Sequence, residues 1–259
     1  MVLLEGRELS KRYGGLAALD RVSVAIEAGE FVSVIGPNGA GKTTLVNVLT
    51  GLLSPDTGTV SFDGRDITGV GAQRLARLGL ARSFQLINIF PELTVLETLL
   101  AAVMSRTGKG GRWFASVMAD RAANAEARQT AVLFGLDAQL HTKADNLSQG
   151  DKKLLDIASA YALQPRVILL DEPTSGVSTS DKHRIMDTLV TASTSFGIET
   201  TLQVEHDMDI VFAYSDRIIA MHDGRILFDG LPADLRQHDE IVATVMGKKD
   251  IFTTFRQQP

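Results

Sequence analysis

Two periods organise the apolar positions of this chain. Phe31–Ile35 is a short run rich in β-branched residues that stops at Gly36. Over 40–53 the spacing becomes helical, with Leu45, Val46, Leu49 and Leu52 recurring on one side. The predicted order is strand, glycine loop, helix. The segment before Phe31 predicts short strands and turns, including a strand at 22–26. Asp63-Gly64 marks a turn between short strands. Thr94 and Glu97 form a T-x-x-E capping box that opens a helix over Val95–Arg106. Glycines at 108, 110 and 111 break it, and helical composition returns over 113–134. A further helix spans 148–163, with Leu154, Ile157, Ala158, Tyr161 and Ala162 on one face.

The later part of the chain returns to strands. The continuous apolar run 167–170, bounded by Pro165 and Asp171, predicts a buried parallel strand. A strand is expected over 198–205. Asp223-Gly224 separates 217–221 from 226–228 as a hairpin. Strands alternating with helices predict an α/β fold with a mostly parallel sheet. The helical stretch 86–162 reads as an inserted subdomain.

The glycine loop carries chemistry. Gly36-Pro37-Asn38-Gly39-Ala40-Gly41-Lys42-Thr43 matches G-x-x-x-x-G-K-[ST] in full, and Thr44 follows it. Glycines let successive backbone N–H groups turn inward around phosphates. Lys42 supplies a mobile cation for the β and γ phosphates, and Thr43 a hydroxyl for Mg²⁺. The following helix points its positive end at the anion. The rival reading is a plain glycine turn between strand and helix.

Asp171 and Glu172 end the 167–170 strand, where open α/β sheets bind their ligands. That position suits Asp171 for holding Mg²⁺ through water. It suits Glu172 for orienting or deprotonating an attacking water. The competing reading makes Asp171 a cap for a helix that opens at Pro173.

Composition then removes whole classes. The 259 residues contain no cysteine, so thiol catalysis, disulfides and cysteine-ligated metals are excluded. The formal net charge of −5 argues against a nucleic-acid partner. An early Glu5 and a short apolar start do not fit a signal peptide. The apolar stretches 45–53 and 96–104 are too short to span a bilayer, so a membrane role requires a partner.

Leu147-Ser148-Gln149-Gly150-Asp151 lies shortly before the Asp171-Glu172 strand end, where ABC ATPases carry an LSGGQ signature. With the phosphate loop and the acidic pair, the chain resembles that family over nearly its whole length. Tyr13 resembles the aromatic that stacks on adenine, Gln85 the Q-loop glutamine that touches Mg²⁺, and His206 the histidine that contacts the γ-phosphate. Alone, Tyr13 reads equally as a surface aromatic, Gln85 as a loop residue and His206 as a strand-end histidine. Ser148 and Asp151 also form a capping box for the helix that follows. The resemblance implies a P-loop NTPase core with a mostly parallel sheet, an N-terminal antiparallel β subdomain and the inserted helical subdomain at 86–162. Residues 1–247 would form one ATPase domain and 248–259 a short tail.

The resemblance further implies that ATP and Mg²⁺ are bound, and that two such subunits sandwich ATP. Lys42 of one subunit would then face Ser148, Gln149 and Gly150 of the other. Two departures stand out. Gln149 and Asp151 replace a glycine and a glutamine of the signature, and Ser178 stands where many relatives have an aspartate. Asp151 brings negative charge towards the partner-bound γ-phosphate.

The stretches around Gln85, Phe90, His206, Arg217 and Gly224 are most similar to ATP-binding subunits of branched-chain amino-acid importers. That implies two transmembrane permease subunits, an indirect link to an external substrate-binding protein and a place on the cytoplasmic face of the inner membrane. A permease groove is expected at 85–92. Urea, amide or lipopolysaccharide transport and a soluble iron–sulfur assembly ATPase are the alternatives.

Overall fold

The computed structural model describes residues 1–83, 90–108 and 120–246. In chain order the first elements are β1 (Val2–Tyr13), β2 (Leu16–Glu27), β3 (Phe31–Ile35), α1 (Lys42–Leu49), β4 (Thr57–Phe62), β5 (Arg65–Asp66) and α2 (Ala72–Leu78). Next come β6 (Leu80–Arg82), α3 (Val95–Arg106), α4 (Arg121–Leu133), α5 (Gln149–Ala162), β7 (Val167–Asp171) and α6 (Thr179–Phe196). The last are β8 (Thr200–Val204), α7 (Met208–Tyr214), β9 (Arg217–His222), β10 (Arg225–Gly230), α8 (Pro232–Leu235) and α9 (Asp239–Met246). The chain divides into two compact units: Met1–Leu75 with Glu199–Pro259, and Ala76–Ile198.

The first unit contains an antiparallel sheet ordered β2-β1-β4-β5. It also contains a second group of strands, in which β3 runs parallel to both β8 and β9 while β9 turns back antiparallel into β10. The β9–β10 turn is Asp223-Gly224, with φ of 47° and 74°. Two successive left-handed residues are what a two-residue hairpin needs. Ile35, Val211, Ile218, Ala220 and Leu235 close one core cluster beneath these strands.

Instead of the short strands expected before Phe31, β1 and β2 form one hairpin of two 12-residue strands. Its register slips at several points between Val2 and Arg12, and Glu8 and Arg21 adopt positive φ. Each slip adds a residue on one strand and resets the alternation of faces. Helix α1 ends at Leu49, short of the predicted 53. Gly51 takes φ 68°, and a Cβ there would lie 2.1 Å from the Val70 carbonyl oxygen, so the chain turns away.

The second unit pairs β6 with β7 in parallel, and all five residues of β7 are buried, as the unbroken apolar run requires. Helix α3 starts with both halves of its capping box: Thr94 Oγ1 accepts from the Glu97 N–H, and Glu97 Oε2 accepts from the Thr94 N–H. Leu99, Leu100, Val103 and Met104 are buried among the neighbouring helices and present no surface to a partner. Of the helix expected over 113–134, the described part is α4, capped by Asp120. Tyr161 of α5 stacks edge-on against Phe134 at 5.3 Å, and its hydroxyl donates to the Leu189 carbonyl. No helix among the described residues is long and apolar enough to cross a membrane.

Candidate functional site

The first unit holds the phosphate loop. It leaves the C-terminal end of β3 at Gly36 and enters α1 at Lys42. Both end glycines are required by their surroundings. At Gly36 (φ 151°) a Cβ would sit 2.3 Å from the Met221 carbonyl oxygen, and at Gly41 (φ 99°) 2.3 Å from that of Ala18. Real Cβ atoms do not approach an oxygen so closely, and both φ values favour glycine. Gly41 is also the N-cap of α1, with no side-chain hydrogen bond there and no acidic residue in the first turn. Neither a cap side chain nor a first-turn carboxylate therefore offsets the positive end of the helix.

The loop is fastened from behind. The Gly224 N–H donates to the Ala40 carbonyl at 3.1 Å, and the Asp20 N–H donates to the Gly224 carbonyl at 2.9 Å. Arg225 Nε and Nη2 grip Asp20 Oδ2 at 2.9 and 2.5 Å and hold that carboxyl below its ordinary range. The β9–β10 turn thus ties the loop to β2. Sequence reading placed Gly224 in a hairpin but missed this second job, because nothing local signals it.

Lys42 is 6% exposed, and its Nζ donates to the carbonyls of Gly36 at 2.7 Å and Pro37 at 3.0 Å. Asn38, Gly39 and Thr43 are exposed, Thr44 is partly so, and Ala40 is buried. Tyr13 closes β1 opposite Leu16 and is 52% exposed. His206 follows β8, the parallel neighbour of β3, and is exposed. Its backbone is held by a residue outside the expected set. Glu205, 3% exposed, accepts from the N–H groups of His206 at 3.0 Å and Asp207 at 3.5 Å. Asp207 then caps α7.

The second unit holds the acidic strand end and the signature. Asp171, the last residue of β7, is 1% exposed, and its Oδ2 pairs with Arg82 of β6 at 2.5 Å. Its buried Oδ1 has no hydrogen-bond partner among the described residues. Glu172 is half-buried and takes φ 49°, which costs a non-glycine residue of order 1–3 kcal/mol. Strain of this kind collects where geometry serves a task. A turn follows, closed by the Ser175 N–H on the Glu172 carbonyl, and the next helix begins only at Thr179. Asp171 therefore caps no helix at Pro173.

Ser148 is the N-cap of α5 and accepts from the Asp151 N–H at 3.1 Å. The box is not reciprocal: Asp151 Oδ2 accepts from the Ser148 hydroxyl at 2.7 Å and from Gln139 Nε2 at 3.3 Å. Gln149 is exposed and Gly150 partly exposed on the first turn. Ser178 is the N-cap residue of α6 without a side-chain cap bond, and its hydroxyl donates to Asp181 at 2.5 Å. Gln85 and most of the expected permease groove lie outside the described residues; Phe90, at its edge, is exposed.

Comparison with known proteins agrees with these motifs. The chain is 36% identical over 253 residues to the high-affinity branched-chain amino acid transport ATP-binding protein LivG of Salmonella typhimurium, covering 95% of this chain and 98% of that one. It is 37% identical over 244 residues to the phosphonates import ATP-binding protein PhnC 2 of Rhodopseudomonas palustris, covering 92% and 87%. Among solved structures, the ADP conformation of an ABC transporter ATP-binding cassette superposes with a TM-score of 0.78 at 31% identity, over 97% of each chain. A dimeric cassette bound to ADP and Pi gives 0.75 at 26% identity, covering 88% of this chain and 98% of that one. Residues 19–175 match the ABC transporter family, and this chain belongs to that family as one of its ATP-binding cassettes.

Proposed function

We propose that this chain is the ATP-hydrolysing motor subunit of an ABC importer for branched-chain or other hydrophobic amino acids. The loop at 36–43 carries the hydrolytic half of the reading. Its two end glycines are forced by contact, its helix has no side-chain cap and no first-turn carboxylate, and its lysine is poised on loop carbonyls. The cargo half rests on the likeness to LivG over 95% of the chain. The likeness to a phosphonate import protein supports a second cargo, an organic phosphonate.

In this reading the backbone N–H groups of 36–44 cradle the phosphates and Tyr13 stacks on adenine. Lys42 exchanges the carbonyls of Gly36 and Pro37 for β and γ phosphate oxygens. Thr43 and Gln85 are assigned to Mg²⁺ directly and Asp171 through a water. An exposed hydroxyl and a buried carboxylate oxygen with spare capacity are hard donors of the kind Mg²⁺ takes. The bound ion supplies charge neutralisation across the phosphates. Glu172 orients or deprotonates the attacking water, and His206 contacts the γ-phosphate.

One phosphate loop and one signature per chain support a two-subunit site. Ser148, Gln149 and Gly150 serve the nucleotide of a second ATPase subunit, identical or related. ATP-driven closure of the pair would act on two permease subunits at the cytoplasmic face of the inner membrane, and hydrolysis would release it. An external binding protein would deliver the cargo.

Affinity isolation of Glu172→Gln from native membranes with ATP and Mg²⁺ tests this directly. Recovery of two hydrophobic permease chains with an amino-acid receptor is expected. A phosphonate receptor would move the cargo, and recovery of soluble proteins alone would overturn the transporter.

A further inference from the structure

Two buried cations converge on one carboxylate-bearing residue within the second unit. Arg82 ends β6, lies opposite Leu169 of β7, and puts Nη2 on Asp171 Oδ2 at 2.5 Å with 7% of its side chain exposed. Lys153, on α5 and 3% exposed, donates from Nζ to the Asp171 backbone carbonyl at 3.3 Å. Asp171 is thus held by its side chain from one element and by its backbone from another. Its remaining oxygen, Oδ1, is buried without a hydrogen-bond partner among the described residues.

A buried ion pair is a poor stability device, because removing two charges from water offsets most of their attraction. Its presence at this position is better explained by what it orients. The guanidinium reaches the carboxylate through one nitrogen, so it fixes where Oδ2 sits as well as offsetting its charge. The contact from Nη2 occupies Oδ2 and leaves Oδ1 as the oxygen kept for another partner. Arg82 also stands three residues before Gln85 in the sequence, and Lys153 follows the Ser148 cap by five. The two cations therefore come from the segments that carry the other proposed nucleotide contacts of this unit.

We infer that Arg82 is a positioning residue that holds Asp171 so that Oδ1 receives the Mg²⁺-bound water, with Lys153 fixing the strand end behind it. This rests on the assignment of Asp171 to Mg²⁺ under the proposed function. Partners that orient a metal-binding group from behind change metal affinity by about 10–100-fold when removed.

The test is ATP binding to the purified chain by calorimetry, with Mg²⁺ and again with EDTA, beside thermal melting in EDTA. Wild type should bind ATP more tightly with Mg²⁺. Arg82→Met should lose about tenfold of that tightening while its affinity in EDTA stays unchanged. Lys153→Met should lose less, since its contact with Asp171 is to the backbone carbonyl and not to the carboxylate. Arg82→Lys keeps the charge on a shorter, flexible stem and should need several-fold more Mg²⁺ to reach the tight state. It decides the matter alone if the methionine variant does not fold. Wild-type tightening in Arg82→Met or Arg82→Lys overturns the inference, as does an equal loss with and without Mg²⁺. Asp171→Asn separates the two levels: if it keeps the full tightening, the metal assignment itself has failed.

Discussion

Helices α1 and α5 both begin at a motif that resembles a phosphate contact, yet their first turns are built in opposite ways. Helix α1 starts from Gly41, with no side-chain cap and no acidic residue in its first turn. Helix α5 starts from Ser148, whose oxygen accepts from the Asp151 N–H while its hydroxyl donates to the Asp151 carboxylate. One end leaves its partial positive charge for a ligand. The other satisfies itself with the Asp151 carboxylate in its first turn. A helix start is an anion site only when the sequence refuses to fill it.

The largest effect should come from emptying the open end. Lys42→Ala is expected to lower ATP turnover by about 10²–10³-fold or more, because a positioned charge at the phosphates is lost. Retained turnover in a steady-state assay would sink the phosphate-loop assignment. Gly41→Ala comes next. Its Cβ would press on the Ala18 carbonyl at 2.3 Å with φ at 99°, so nucleotide affinity should collapse and stability fall by roughly 1–3 kcal/mol. Denaturant melting and nucleotide titration report the two separately.

The closed end should respond in the other direction. Opening it with Gln149→Gly and Asp151→Gln together should raise the turnover of the assembled pair about two- to fivefold. That corresponds to the roughly 0.3–1 kcal/mol an exposed charge contributes at a helix end. An unchanged rate would show that the partner's site tolerates Asp151. The smallest effect compares caps: Thr94→Ala should cost about 1–2 kcal/mol and Ser148→Ala about 1 or less. Thr94 has a reciprocal box, whereas the Asp151 carboxylate bonds only to side chains. Equal losses would mean that the reciprocal bond contributes nothing.

What could be read from the sequence follows from how local each cause is. The phosphate loop, the Thr94–Glu97 box and the Asp223-Gly224 turn are each set by residues within a few positions, and each appears where expected. The β1–β2 hairpin was legible only over 22–26, because register slips and the left-handed Glu8 and Arg21 break the alternation. The apolar Leu52 and Leu53 carried the predicted α1 too far, since the Val70 carbonyl that excludes a Cβ at Gly51 lies far along the chain. Arg82 and Glu205 lie inside stretches that carry the family resemblance, around Gln85 and His206, but neither they nor Lys153 showed a role of their own. β6 is only three residues long, and the value of Arg82 appears once β6 pairs with β7. Buried charges announce themselves through their partners, and those partners are non-local.

The bonding of Gly224 also decides where this molecule will accept foreign sequence. A two-residue surface turn is the usual choice for a tag, a fluorophore or a new pair of termini. At Gly224 that choice is poor, because both backbone groups are spoken for by Ala40 and Asp20, and any insertion would pull on the phosphate loop. The Asp63-Gly64 turn joins β4 to β5; a Cβ added at Gly64 meets nothing within 4 Å, while the Asp63 N–H is committed to the Leu3 carbonyl of β1. A reporter placed after Gly64 would press on the β1–β4 pairing and not on the Ala40 carbonyl of the glycine loop.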